Sequence, residues 1–286
     1  MKTMEEILQE VPQKHILSNH NKKVMTTEDG WEILNATSKC PYSLCDGNGS
    51  MHIVKEKAEL LRECKCNFER RQKNKIKSAK VPQEYFDVTV GSYNIELYTQ
   101  QSNTDKAMIA KRVAVKYVEN FENMLQRGKG LFLYSETKGS GKTRLAISIL
   151  NALIRKYQVN ALYISSVNLL NEIKQTFQSV ESIDTSRIIQ TFKEVPLLVI
   201  DDLGVEKVSD WSEEMFTQIL DERMSNYRPT IITSNFSISQ LSKKYKMGRV
   251  NNRIEKMAFP IAMPEESVRS KLAKKENDEI AKLFFE

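Results

Sequence analysis

From about residue 104 onward, short and wholly apolar runs alternate with longer stretches in which apolar residues recur every three or four positions. Residues 131–134, 161–164, 197–200 and 230–233 read as strands; 142–157, 167–177 and 213–226 read as amphipathic helices. Strands separated by helices predict an α/β fold, a parallel sheet with helices on both faces. Before residue 104 the texture differs. Ile7, Leu8, Val11, Ile16 and Leu17, then Trp31, Ile33 and Leu34, predict short helices without a large core of their own. A cysteine segment follows at 38–66, then a basic stretch and a polar connector punctuated by Pro82 and Gly91, with 99–103 as a loop. The expected organisation is a small N-terminal module at 1–80, a linker at 81–103 and an α/β domain at 104–286.

The length of 286 residues suits about two domains, and 40% hydrophobic with 28% charged residues is an ordinary globular composition. The longest apolar run in the middle of the chain, 195–200, is far short of the ~20 residues of a membrane span. Residues 1–13 carry Lys2, Glu5, Glu6 and Glu10 and no signal-peptide core, so a cytoplasmic protein is expected. The net charge of +6 is a mild bias toward anionic partners.

Ser135-Glu136-Thr137-Lys138-Gly139-Ser140-Gly141-Lys142-Thr143 follows a strand and opens a helix. Binding a triphosphate needs backbone N–H groups turned toward the phosphates, which Gly139, Ser140 and Gly141 permit. It also needs a cation for the β- and γ-phosphates, Lys142, and a hydroxyl for Mg²⁺, Thr143. The usual first glycine is Glu136 here; the intact Gly-x-Gly-Lys-Thr core predicts that binding survives, with the carboxylate beside the loop expected to weaken it or slow turnover. The strand at 197–200 runs into Asp201 and Asp202. Asp201 would hold Mg²⁺, and Asp202 would orient and deprotonate the attacking water. Asn235, at the end of Ile231-Ile232-Thr233-Ser234-Asn235, either bonds the γ-phosphate or lytic water or is a turn-former.

Gly-Ser-Gly-Lys-Thr, then Leu-Val-Ile-Asp-Asp-Leu-Gly-Val-Glu, then Thr-Ser-Asn resemble the AAA+ ATPases of the DnaC/DnaI helicase-loader group over residues 104–275; the run 199–206 is the most specific part. The resemblance implies an ATPase that self-associates, an arginine acting on the neighbour's ATP (Arg253, or Arg249), and Arg269 contacting phosphate within its own subunit. It also implies single-stranded DNA near Lys174 and Phe177 and a DnaB-type hexameric replicative helicase as partner.

All four cysteines lie between Cys40 and Cys66, as Cys40-x₄-Cys45 and Cys64-x-Cys66. In an intracellular chain such pairs favour a metal over disulfides, and Zn²⁺ takes four soft ligands in a tetrahedron. His52 is an alternative ligand, and four free thiols are the bland reading. In the resembled loaders a zinc-carrying N-terminal region grips the helicase. Arg62, Lys65, Arg70, Arg71, Lys73, Lys75, Lys77 and Lys80 form a basic stretch, either a phosphate-contacting surface or a solvated helix. A second cluster, Lys243, Lys244, Lys246 and Arg249, lies near the proposed finger. The expected function is ATP-dependent loading of a replicative helicase onto single-stranded DNA. The alternatives are an IstB-type transposition helper ATPase, or a zinc adaptor that binds nucleotide without hydrolysing it.

Overall fold

The computed structural model describes residues 25–56, 58–178 and 183–285, and the chain divides into two compact units between Arg70 and Arg71. In the first unit, strands β1 (Met25–Thr26), β2 (Glu32–Ile33), β3 (Ser50–Lys55) and β4 (Ala58–Glu63) form one antiparallel sheet in chain order. The helices predicted around Trp31, Ile33 and Leu34 are replaced by extended chain. Thr27 exchanges backbone bonds with Gly30 and Trp31 at 2.8–2.9 Å, a tight reversal that sets β1 against β2 and pairs Ile33 with the buried Ile53. The apolar positions at 7–17 lie outside the described residues. Cys64 leads into helix α1 (Lys65–Ser78).

The second unit carries five parallel strands in the order β6-β7-β8-β5-β9. They are β5 (Gly130–Tyr134), β6 (Ala161–Ser165), β7 (Leu197–Leu203), β8 (Thr230–Ser234) and β9 (Ala258–Ala262). The helices are α2 (Gln101–Glu119), α3 (Phe121–Gln126), α4 (Lys142–Tyr157), α5 (Ser166–Gln178), α6 (Ile183–Glu194), α7 (Asp210–Ser225), α8 (Ile238–Lys244), α9 (Arg249–Met257) and α10 (Val268–Phe285). Each strand and helix predicted after residue 104 is present, and the architecture is the P-loop AAA+ α/β fold. Alternate strand residues serve two cores. Leu131, Leu133, Leu197, Val199 and Ile231 pack with α2 and α4 on one face. Phe132, Leu198, Ile200 and Ile232 pack with α5 to α9 on the other. Burial of both faces is why the strands read as continuous apolar runs. No helix among the described residues is long and apolar enough to cross a membrane.

The stretch predicted as a linker at 81–103 is core instead. Val81, Val88, Val90, Tyr93 and Tyr98 are buried with Leu145 and Ile149 of α4. Its apolar residues fall at irregular spacing, so neither helical nor strand periodicity announces them, and Gln101 already belongs to α2.

The starts of β7 and β8 are keyed together by Arg223, which is fully buried near the end of α7. Its guanidinium donates to the carbonyls of Phe192 (2.9 Å), Val195 (2.7 Å) and Pro229 (2.8 Å) and to Thr230 Oγ1 (2.8 Å). Burial pushes its pKa down to about 9, and the carbonyl set, which includes the last turn of α6, satisfies the charge in place of a carboxylate. Arg223→Met strands these acceptors and is expected to lower the unfolding free energy by about 3 kcal/mol, measurable by urea denaturation of the apo protein.

Candidate functional site

The loop after β5 turns at Gly139 (φ 75°) and Gly141 (φ 92°), left-handed conformations that a Cβ opposes. A side chain at Gly141 would also meet the Tyr98 hydroxyl at 2.7 Å. Tyr98 in turn donates to the carbonyl of Ser140 at 2.8 Å and bonds Tyr93 at 2.7 Å, so the supposed linker walls the loop from behind. α4 opens directly from Gly141, leaving its first N–H groups toward the cleft. Lys142 is buried and bonds Ser135 O (3.1 Å), Thr137 O (2.9 Å) and Ser140 Oγ (3.2 Å). Burial pushes its pKa down, against the pull of Asp202, Glu265 and Asp201.

Glu136, in place of the usual glycine, has an ordinary negative φ and therefore needs no glycine. It is exposed, its carboxylate accepts from Gln240 Nε2 at 2.6 Å, and it does not line the cleft.

At the end of β7 the register slips. Ile200 pairs with Ile232 and Leu203 with Ser234, so Asp201 and Asp202 stand opposite Thr233 alone. This is a β-bulge. Thr233 Oγ1 fills it, donating to Asp201 Oδ1 at 2.6 Å and accepting from the Asp202 amide at 2.9 Å. Asp202 takes φ 55° and lines the cleft with Lys142, Thr143, Asn235 and Arg269. Asp201 is buried beneath, accepting also from Thr143 Oγ1 (3.0 Å) and Tyr163 OH (2.8 Å). Burial, then the neighbouring Asp201 charge, push the Asp202 pKa up. Downstream, the Glu206 carboxylate accepts the Gly204 amide at 3.0 Å and bonds Tyr245, which closes the Leu-Gly-Val-Glu turn.

The cleft, about 460 Å³, thus brings together Gly139, Ser140, Gly141, Lys142, Thr143, Asp202, Asn235 and Arg269, with Asp201 directly behind Thr143. A larger apolar groove of about 740 Å³ between α2, α3 and β9 holds none of them. A hydroxyl and a carboxylate beside a phosphate-binding loop form the hard oxygen donor set that suits Mg²⁺. Arg253 lies elsewhere, its guanidinium on Asp221 at 2.6 and 2.9 Å, which raises its pKa; Arg249 is exposed at the start of α9. Lys174 sits over the Trp211 ring, 5.0 Å from its centroid, and the side chain of Phe177 lies outside the described residues. Tyr98, Tyr163, Thr233 and Glu265 belong to the site but are not singled out from the sequence. Only Thr233, inside the quoted Thr-Ser-Asn, carried any signal.

In the first unit the four cysteine sulfurs lie within 4.8 Å of one another. Cys40 and Cys64 Sγ are 3.7 Å apart, and Cys45 and Cys66 Sγ 3.5 Å. The edge of a tetrahedron of sulfurs around Zn²⁺ is about 3.8 Å, so the set fits a thiophilic tetrahedral ion. His52 pairs with Glu59 and is outside the set. Much of the basic stretch is engaged. Arg62 bonds Asp29 at 2.7 Å, Arg70 bonds Asn48 O at 3.1 Å, Lys65 lies over Tyr42, Lys75 bonds Gln158 O at 2.6 Å, and Lys80 bonds Glu172 at 2.7 Å. Those residues are holding protein together, which weakens the phosphate-contact reading. In the second cluster, Lys244 bonds the Gly204 carbonyl.

The family described as IstB-like ATP binding protein matches residues 49–271, more than half of the chain. The replicative helicase loader DnaI of Bacillus subtilis is 26% identical over 217 residues, 72% of this chain and 66% of that protein. The replicative helicase loader DnaC of Escherichia coli K12 is 28% identical over 152 residues, 53% of this chain and 57% of that protein. A solved structure described as the DnaC helicase loader is similar with a TM-score of 0.55 at 25% identity, over 64% of this chain and 99% of that one. The chain spans 56–66% of the length of the curated relatives it matches.

Because Glu136 faces Gln240 and not the cleft, Glu136→Gly is expected to leave the ATP dissociation constant within about twofold. Isothermal titration checks this, and a tightening of tenfold or more would place the carboxylate at the phosphates after all.

Proposed function

This chain belongs to the IstB-like ATP-binding family, and we propose that within it the protein is an ATP-hydrolysing loader of a ring-shaped, DnaB-type replicative helicase onto single-stranded DNA. The observation that carries the ATPase reading is the bulge that aims Asp202 into the cleft while Asp201 stays behind Thr143. Lys142 and the loop N–H groups bind the β- and γ-phosphates, and Thr143 and Asp201 hold Mg²⁺, whose charge neutralises the phosphate oxygens when bound. Asp202 takes the proton of the attacking water, Asn235 orients that water or the γ-phosphate, and Arg269 stabilises phosphate charge from α10. A neighbouring copy completes the site with Arg249 or Arg253. Arg253 must first leave Asp221, so the exposed Arg249 is the freer of the two. The similarity to DnaI and DnaC supports the helicase as partner. The cysteine cluster holds Zn²⁺ and staples the surface that grips it. Single-stranded DNA is bound by the ATP state, and hydrolysis releases the loader in the cytoplasm.

Asp202→Asn is expected to bind ATP normally and to lose turnover by about two to four orders of magnitude, read from phosphate release with and without single-stranded DNA and the cognate helicase. Because the Asp202 pKa is raised, the base is lost by protonation as pH falls. Wild-type turnover should therefore decline on acidification sooner than an ordinary exposed aspartate predicts. Unchanged hydrolysis in the variant sinks the assignment. The alternative is an IstB-type transposition helper, less favoured by the similarity to DnaI and DnaC; helicase placed on single-stranded DNA in an ATP-dependent assay separates the two.

Cys40→Ser is expected to remove the zinc measured by atomic emission and to loosen the first unit to proteolysis, since metal binding supplies folding energy in modules this small. A metal-free but protease-resistant variant ends the zinc reading.

A further inference from the structure

The entry half of the phosphate loop is gripped by a carboxylate from a distant part of the chain. Glu265, between β9 and α10, accepts from the Glu136 amide (3.1 Å), the Thr137 amide (2.9 Å) and the Ser135 hydroxyl (2.9 Å). The Ser135–Glu136 peptide is thereby held at both ends, its N–H by Glu265 and its carbonyl by Lys142 Nζ at 3.1 Å. Thr137 is held through two successive peptides, its N–H on Glu265 at 2.9 Å and its carbonyl, in the peptide to Lys138, on Lys142 Nζ at 2.9 Å. The Ser135–Glu136 peptide therefore points its positive end at the carboxylate and its negative end at the ammonium, the favourable orientation for each charge.

The carboxylate is itself pre-placed. The Met263 amide bonds Tyr134 O at 2.8 Å, the Glu265 amide bonds Asn103 Oδ1 at 2.8 Å, and the Val268 amide bonds Gly139 O at 3.0 Å. Burial pushes the Glu265 pKa up, but the bonds from Thr137 and Ser135 outweigh it and leave the carboxyl below the usual range, ionised at neutral pH. Glu265 is exposed as a residue, so solvent screens its long-range field and the directed hydrogen bonds do the holding.

We propose that Glu265 is a positioning residue for Lys142: it holds the Ser135–Glu136 peptide directly and Thr137 by its N–H, fixes through them the Ser135 and Thr137 carbonyls that hold the ammonium, and so sets where that cation meets the phosphates of a bound nucleotide. The role rests on the nucleotide reading of the cleft and deepens it. It also accounts for the tolerance of Glu136 where a glycine is usual, because Glu265 uses only the main-chain N–H at that position. The same segment continues into Arg269, so the loop cation and the α10 arginine are set by one strap.

Adjacent Glu266 provides the control. It accepts from Thr99 N at 3.0 Å and Thr99 Oγ1 at 2.7 Å and pairs with Lys271, ties that brace the fold without bonding the loop. In the full-length protein, Mg·ATP and Mg·ADP dissociation constants and the apo melting temperature are measured for wild type, Glu265→Ala, Glu265→Gln and Glu266→Gln. Glu265→Ala is expected to weaken both nucleotides about tenfold, and Glu265→Gln, which keeps one acceptor oxygen, about threefold. Glu266→Gln should lower the melting temperature while leaving both constants unchanged. Wild-type affinity in Glu265→Ala overturns the proposal, as does an equal loss in Glu266→Gln, which would mean general loosening. If Glu265→Ala does not fold, Glu265→Gln decides alone, and an unchanged constant overturns the role. A wild-type protein that binds neither nucleotide refutes the nucleotide reading itself, and the positioning role falls with it.

Discussion

A buried carboxylate at the end of β7 governs the second unit. Asp201 accepts hydroxyls from Thr143 on α4, Tyr163 on β6 and Thr233 on β8. An ionised group in that position is costly unless its lone pairs are filled. Satisfying it therefore draws the phosphate loop, the neighbouring strand and the bulge into one register. Thr233 serves twice, because the hydroxyl that bonds Asp201 also accepts the displaced Asp202 amide. The strained φ of Asp202 is thus supported locally, and its side chain is freed to face the cleft while its neighbour stays behind it.

The loop needs the same kind of support from outside itself. Its glycines make it adaptable, and adaptability in a binding loop costs order. Tyr98 from the stretch before α2 and Glu265 from the stretch before α10 supply that order from opposite sides, one through the Ser140 carbonyl and the other through the entry amides. Segments far apart in sequence thus converge on a few consecutive peptides, and the stretches that lead into α2 and α10 are hydrogen-bonded to the loop.

The first unit solves a different problem. Its described apolar core is little more than three buried cysteines with Tyr42, Leu44 and Met51 around them, and Ile33 against Ile53 in the sheet. That is too little apolar surface to order a loop-rich segment unaided. The clustering of four sulfurs is what a cross-linking ion would turn into stability. The cations of the basic stretch spend much of their bonding capacity on carbonyls and carboxylates of the protein, so charge density in the sequence overstated what is available to an outside phosphate.

The sequence by itself determined whatever the chemistry demands of neighbouring residues. Gly139 to Thr143 had to be contiguous because one loop wraps one chain of phosphates. Asp201 and Asp202 had to end a strand that is apolar throughout because both of its faces are covered. The cysteine pairs are closely spaced, as sharing one ion would require. Only the tertiary structure decided the rest: the bulge opposite Thr233, the tyrosine wall from the supposed linker, the extended chain around Trp31, the tether of Arg253 on Asp221, and the grip of Glu265. None of these follows from local pattern. Each is a hydrogen bond or packing contact between residues remote in sequence, made because a buried polar group in a folded chain must find its partner wherever the fold has put it.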